Sequence, residues 1–163
     1  MENKLSNIGF RGFITIEQLK ENISVVPDTK GVYLILKSEE TENPEFLLEG
    51  SGGYFKRKNP NASIEELKKN WVEDADILYI GKAGGEGQGS NLRRRLNQFI
   101  RFGQGRNVGH WGGRLIWQLK DSEHLIVCWK ELSNDNPREI EKNMIDQFKS
   151  EHNNNRPFAN LQD

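Results

Sequence analysis

The chain has one cysteine, Cys128, among its 163 residues. A lone thiol excludes an intramolecular disulfide and any cysteine-built zinc site. Long apolar runs are also missing: no stretch approaches the ~20 residues that cross a bilayer, so no membrane partner is expected. Residues 1–10 show no basic flank followed by an apolar core, and no secretory signal is expected there. Together these absences point to the cytoplasm. Internal repeats and low-complexity tails are lacking as well. What is present, 34% hydrophobic and 29% charged residues, is compatible with one globular domain over 1–163 with generous loops.

Excess charge of either sign is absent overall, with a net charge of -1, but the balance is uneven along the chain. Between positions 82 and 114 stand seven basic residues, Lys82, Arg93, Arg94, Arg95, Arg101, Arg106 and Arg114, against the single acid Glu86. Five acids between positions 39 and 49 offset them. For any one of these cations a solvated surface is a sufficient account; for the cluster beside a glycine-rich loop, a phosphate-facing patch is an equal alternative.

The coarse organisation follows from caps and periodicity. Thr15 with Gln18 three positions on forms a capping box for a short helix over 16–22. Residues 31–37 read as a strand with Val32, Leu34 and Leu36 on one face and Tyr33 and Ile35 on the other. Both faces are apolar, which predicts a central strand covered on both sides. A helix is predicted over 63–71, a second strand over 77–82, and an Asn91-capped helix over 92–102. The run 84–89 is glycine-rich but lacks the Gly-Lys-Ser/Thr ending of a phosphate-binding P-loop. A short helix over 114–120, a third strand over 124–129 and a last helix opened by Asn136-Pro137-Arg138-Glu139 complete the reading.

Two helices carry polar residues on their apolar faces. On the 92–102 helix, Leu92, Leu96, Phe99, Ile100 and Phe102 form one stripe, and Arg95 falls between Phe99 and Phe102. Arg94 and Arg101 fall on the opposite side. Arg95 therefore either meets an anion or a carbonyl inside or lays its stem along the stripe and reaches outward. On the last helix Glu141 falls amid Ile140, Met144, Ile145 and Phe148, whereas Glu139 falls outside. A carboxylate so placed needs a cation: a metal, or an arginine in a structural ion pair.

Gly31-Val32-Tyr33, Tyr79-Ile80-Gly81, the arginine-rich helix, the helix bearing Glu141 and the closing Pro157-Phe158-Ala159-Asn160 occur in an order that resembles the GIY-YIG nuclease family, over roughly 31–160. The resemblance implies a small α/β domain with a mainly antiparallel three-stranded sheet flanked by helices. It makes 1–30 an N-terminal extension and 38–76 an insertion between the motif strands. It further implies phosphodiester hydrolysis in nucleic acid, DNA before RNA, with Mg²⁺ or Mn²⁺. Tyr33, Tyr79, Arg95 and Glu141 match the catalytic positions, Glu141 as the metal ligand. Gly31, Gly81 and Asn160 match structural positions, and Lys82, Arg93, Arg94, Arg101, Arg106, His110 and Arg114 are candidate substrate contacts. Family members often carry His or Tyr four residues after the arginine, where this chain has Phe99. His110 is either its replacement or a surface loop residue. A nucleic-acid-binding module with weak or lost catalysis, and a protein-interaction domain anchored by Trp71, Trp111 and Trp117, are the alternatives.

Overall fold

The computed structural model describes residues 1–85 and 89–162, so the centre of the glycine-rich run, Glu86, Gly87 and Gln88, lies outside the described residues. The fold is mixed α/β, built on a four-stranded antiparallel sheet in the order β1-β4-β2-β3. Its strands are β1 (Arg11–Thr15), β2 (Gly31–Leu36), β3 (Ile77–Ala83) and β4 (Ile126–Glu131). The helices are α1 (Glu2–Asn7), α2 (Ile16–Glu21), α3 (Ile64–Asn70), α4 (Leu92–Gly103) and α5 (Pro137–Glu151).

The sheet has four strands rather than the three expected, because the 1–30 stretch supplies an edge strand. β1 pairs with β4, with a register shift between Gly12 and Ile14. Gly12 and Phe13 both adopt positive φ there, +98° and +55°, which breaks the two-residue alternation that marks a strand in sequence. β4 begins two residues later than expected, since residues 122–124 form a 3-10 turn. The helix expected over 114–120 is instead a 3-10 segment, Trp111–Gln118, kinked at Gly113. Adjacent glycines at 112 and 113 are poor α-helix formers.

β2 is buried along its whole length, and its two faces feed two separate cores. Tyr33 and Ile35 pack with α4 residues Leu92, Leu96 and Phe99. Val32, Leu34 and Leu36 pack with Ile80, Cys128 and Ile145 of α5. The helices start where their caps place them. Thr15 and Gln18 exchange both capping-box bonds, at 2.9 and 3.1 Å, and Asn91 Oδ1 accepts from the Arg94 amide at 2.9 Å. At α5, Asn136 Oδ1 caps through the Arg138 amide at 2.9 Å, one position earlier than a capping box with Glu139 would have it.

Residues 38–76 do not extend away from the molecule. Phe46 bridges Leu119, and the Leu47 amide donates to the Gln118 carbonyl at 2.7 Å. The buried Gln118 side chain donates to the carbonyls of Leu47 (3.0 Å) and Ala62 (2.9 Å) and accepts from the Ala62 amide at 2.7 Å. One side chain thus ties two points within this segment, Leu47 and Ala62, to the 3-10 segment.

Candidate active-site cleft

Pairing of β2 with β3 puts Tyr33 opposite Gly81 and Ile35 opposite Tyr79, so the two tyrosines share one face of the sheet. Their ring centroids are 6.1 Å apart. The glycines of both motifs are needed for this. A Cβ on Gly81 would overlap the Tyr33 ring, and a Cβ on Gly31 would overlap the Lys130 carbonyl. Because β3 is the edge strand, Tyr79 on one face and Lys82 on the other reach the same cleft. That cleft has a volume of about 850 Å³ and is lined by Tyr33, Tyr79, Lys82, Arg95, Arg114, Glu141 and Asn160, among others.

Arg95 stands at the end of the first turn of α4 and is half-buried. One guanidinium nitrogen donates to the Gln98 side chain at 3.0 Å and to the Gly109 carbonyl, which answers the alternatives left by the helix phase: its partner is a loop carbonyl at the cleft wall. Glu141 is half-buried on α5, while Glu139 is exposed. Among the described residues Glu141 has no ion pair, which removes the structural arginine pair as its explanation. Burial raises its pKa, while Lys82, then Arg95 and Arg138, pull it back. An unpaired, partly desolvated carboxylate inside a basic cleft has the chemistry to hold a cation or a proton.

His110 is not a surface residue. It is fully buried, and its Nε2 lies 2.7 Å from the Tyr33 hydroxyl. The ring is held among Phe99, Tyr79 and Tyr33, at centroid distances of 5.0, 5.9 and 6.2 Å. Phe99 therefore packs against the imidazole that enters from the loop. Gly113 makes room for it: a Cβ there would come within 2.8 Å of the imidazole Cε1. Burial, reinforced by the Arg95 charge, holds the His110 pKa well below the usual imidazole range, so the ring is neutral. Arg95 lies beside the Tyr33 hydroxyl and has only donors to offer, so the acceptors within reach of the hydroxyl proton are Nε2 and the Tyr79 oxygen. The His110 Nδ1 has no hydrogen-bond partner among the described residues.

Burial is also the main reason that Tyr33 titrates well above the ordinary phenol and that Tyr79 is pushed up to about 12. Arg95 counters part of both rises. Tyr33 itself is fully buried, although it borders the cleft.

The remaining sequence candidates divide. Asn160 clamps the edge strand, accepting from the Ile80 amide and donating to the Ile80 carbonyl, both at 2.9 Å. Arg93 is tied down by the carbonyls of Val26 (2.7 Å) and Ser24 (3.3 Å), so it serves the fold. Arg94 donates to the Gly89 carbonyl at 2.7 Å. Arg101 and Arg106 are exposed and do not line the cleft. Arg114 does line it, its guanidinium 4.5 Å over the Trp111 ring and bonded to the Trp111 carbonyl. Trp117 is buried, against Phe99 and the Gly103 backbone, which removes it as a surface anchor. Sequence reasoning missed Gln98, Gly113 and Gln118; of these only Gly113 had a visible signal, its position in a His-x-x-Gly turn.

Fold and site together define a mixed α/β protein with a basic cleft at the edge of an antiparallel sheet, lined by two tyrosines and one unpaired carboxylate, with a buried histidine hydrogen-bonded to Tyr33 behind it. No protein-family model matches the chain, and neither a curated protein nor a solved structure matches it.

Proposed function

We propose that the protein is a divalent-metal-dependent endonuclease that hydrolyses phosphodiester bonds in DNA, with a GIY-YIG-like site. One observation carries this reading: the unpaired Glu141 carboxylate shares a cleft with Arg95 and two tyrosines, one of them hydrogen-bonded to a buried neutral histidine.

The residues fit Mg²⁺ or Mn²⁺. Among the described residues no three His, Cys, Asp or Glu side chains group as ligands. Mg²⁺ is commonly held by only one or two carboxylates, with water and substrate phosphate completing its shell. Glu141 would be that carboxylate. Bound there, such an ion supplies Lewis-acid polarisation of the scissile phosphate and stabilisation of the leaving oxygen.

The chain's own groups account for the rest. Arg95, fixed by Gly109 and Gln98, is positioned to offset charge on the phosphorus oxygens, an effect of about 2.7–4 kcal/mol for one well-placed donor. Tyr33 Oη takes a proton from the attacking water as its own proton passes to His110 Nε2. In the free protein Arg95 opposes protonation of His110. A phosphate paired with Arg95 neutralises that field, so the imidazole becomes a better acceptor when substrate is present. Lys82 and Arg114, on the cleft wall, contact phosphate.

A second reading, a nucleic-acid-binding module without catalysis, draws on the full burial of Tyr33 and on Phe99. Supercoiled plasmid incubated with Mg²⁺, with Mn²⁺ or with EDTA separates the two. Metal-dependent nicking or linearisation is the expected result; a metal-independent mobility shift with intact plasmid would favour the binding module.

A further inference from the structure

Lys56, Arg57 and Lys58 lie in the 38–76 segment, outside the cleft lining, and all three are exposed. The turn that carries them is fastened to the back of the cleft wall. The Lys56 amide donates to Asn107 Oδ1 at 3.3 Å. Gly53 packs so closely on the Arg106 carbonyl that no Cβ would fit. A Cβ on Gly109 would meet the Phe55 ring at 3.6 Å, and Gly109 is the wall residue whose carbonyl holds Arg95. Arg106 in turn donates its amide to the Arg101 carbonyl at 3.1 Å. Five exposed cations, Lys56, Arg57, Lys58, Arg101 and Arg106, therefore gather on one ridge.

The ridge is one-signed for a reason visible in the sequence. The two segments that meet there, 50–63 and 89–120, contain no aspartate or glutamate. None of the five cations has an ion pair among the described residues. Lys56 and Arg57 also adopt φ of +52° and +63°, a left-handed backbone that residues of their kind rarely take. The exposed Tyr54 stands beside them. A cluster of unpaired cations held on a strained turn is a surface made for a polyanion rather than a stabilising device.

We infer that this ridge is a second phosphate-binding surface, gripping the backbone of double-stranded DNA beyond the bond in the cleft. It rests on the nuclease reading, which places a phosphodiester at Arg95, and gives the 38–76 segment a role in holding the flanking duplex. Each phosphate so neutralised adds about 0.9 to the slope of log affinity against log salt.

The test uses the full chain carrying Lys56→Asn, Arg57→Asn and Lys58→Gln together, asparagine being tolerant of left-handed backbone. Binding to a fluorescent duplex of about 30 base pairs is measured by anisotropy across a salt series, with EDTA present so that nothing is cut. The expected result is a salt slope lower by about 2–3 and an affinity weaker by roughly tenfold or more near 0.1 M salt. An unchanged slope, with the parent still binding, overturns the ridge and leaves the nuclease reading standing. A parent that binds no duplex overturns both. A parent that binds duplex here but leaves plasmid intact in the separate assay with Mg²⁺ or Mn²⁺ overturns the nuclease reading, while the salt slope still decides the ridge. If the triple variant does not fold, Arg101→Gln with Arg106→Gln leaves the turn intact and should lower the slope by about two.

Discussion

At the scale of single residues, the sharpest gap between sequence and structure is His110. In sequence it is one imidazole in a glycine-rich loop, and nothing local says whether it faces water. Its burial depends on Gly113, which leaves space for the ring, and on Phe99, which packs against it. Phe99 belongs to another element, and only the His-x-x-Gly spacing hints at Gly113. The consequence is measurable. Burial and Arg95 depress the folded-state pKa of His110 below the ~6.5 of a free imidazole. Below about pH 6.5 the unfolded chain binds a proton that the folded chain refuses, so this contribution to stability is present above pH 6.5 and is lost as pH falls further. Glu141, with a raised pKa, acts in the opposite sense. Comparison with His110→Gln isolates the histidine. The parent's melting temperature should fall more than the variant's between pH 7 and pH 5, and parallel curves would contradict a neutral buried His110.

At the scale of elements, caps and apolar phase carried well and backbone irregularity did not. Thr15, Asn91 and Asn136 cap the helices that their sequences announce. The phase of α4 separates Arg95 from Arg94, and that of α5 separates Glu141 from Glu139, as the fold has them. β1 was invisible because its bulge at Gly12 and Phe13 destroys the alternation, and its pairing with β4 is long-range. The same irregularity hid the 3-10 segment. The edge strand β3 depends on two devices that sequence alone does not weigh. Asn160 occupies both hydrogen-bonding groups of Ile80, and Gly81 leaves room for the Tyr33 ring. Asn160→Ala removes two backbone bonds and should cost about 1–3 kcal/mol in urea unfolding. Gly81→Ala overpacks the site and should cost a similar ~1–3 kcal/mol. A loss only in Asn160→Ala would mean that the tyrosine can shift aside.

At the scale of the whole molecule, a net charge of -1 hides a cleft whose lining carries Lys82, Arg95 and Arg114 against Glu141 alone among charged residues. No helix among the described residues is long and apolar enough to cross a membrane. Composition gave no hint of the asymmetry, which arises because the basic stretch 89–120 packs over the sheet face that carries both tyrosines and lines the cleft, while none of the acids of 39–49 does. The central claim is that Glu141 turns this cleft from an anion site into a metal-dependent one. Glu141→Gln keeps size and hydrogen bonding but removes the charge that a hard divalent cation requires. Plasmid cleavage is therefore to be followed in Mg²⁺ and Mn²⁺ for the parent, Glu141→Gln and Glu139→Gln, with duplex binding and thermal melts alongside. The account predicts that Glu141→Gln abolishes cleavage while binding and folding persist, and that Glu139→Gln cuts at the parental rate. Full cleavage by Glu141→Gln, or equal loss in both variants, would contradict it.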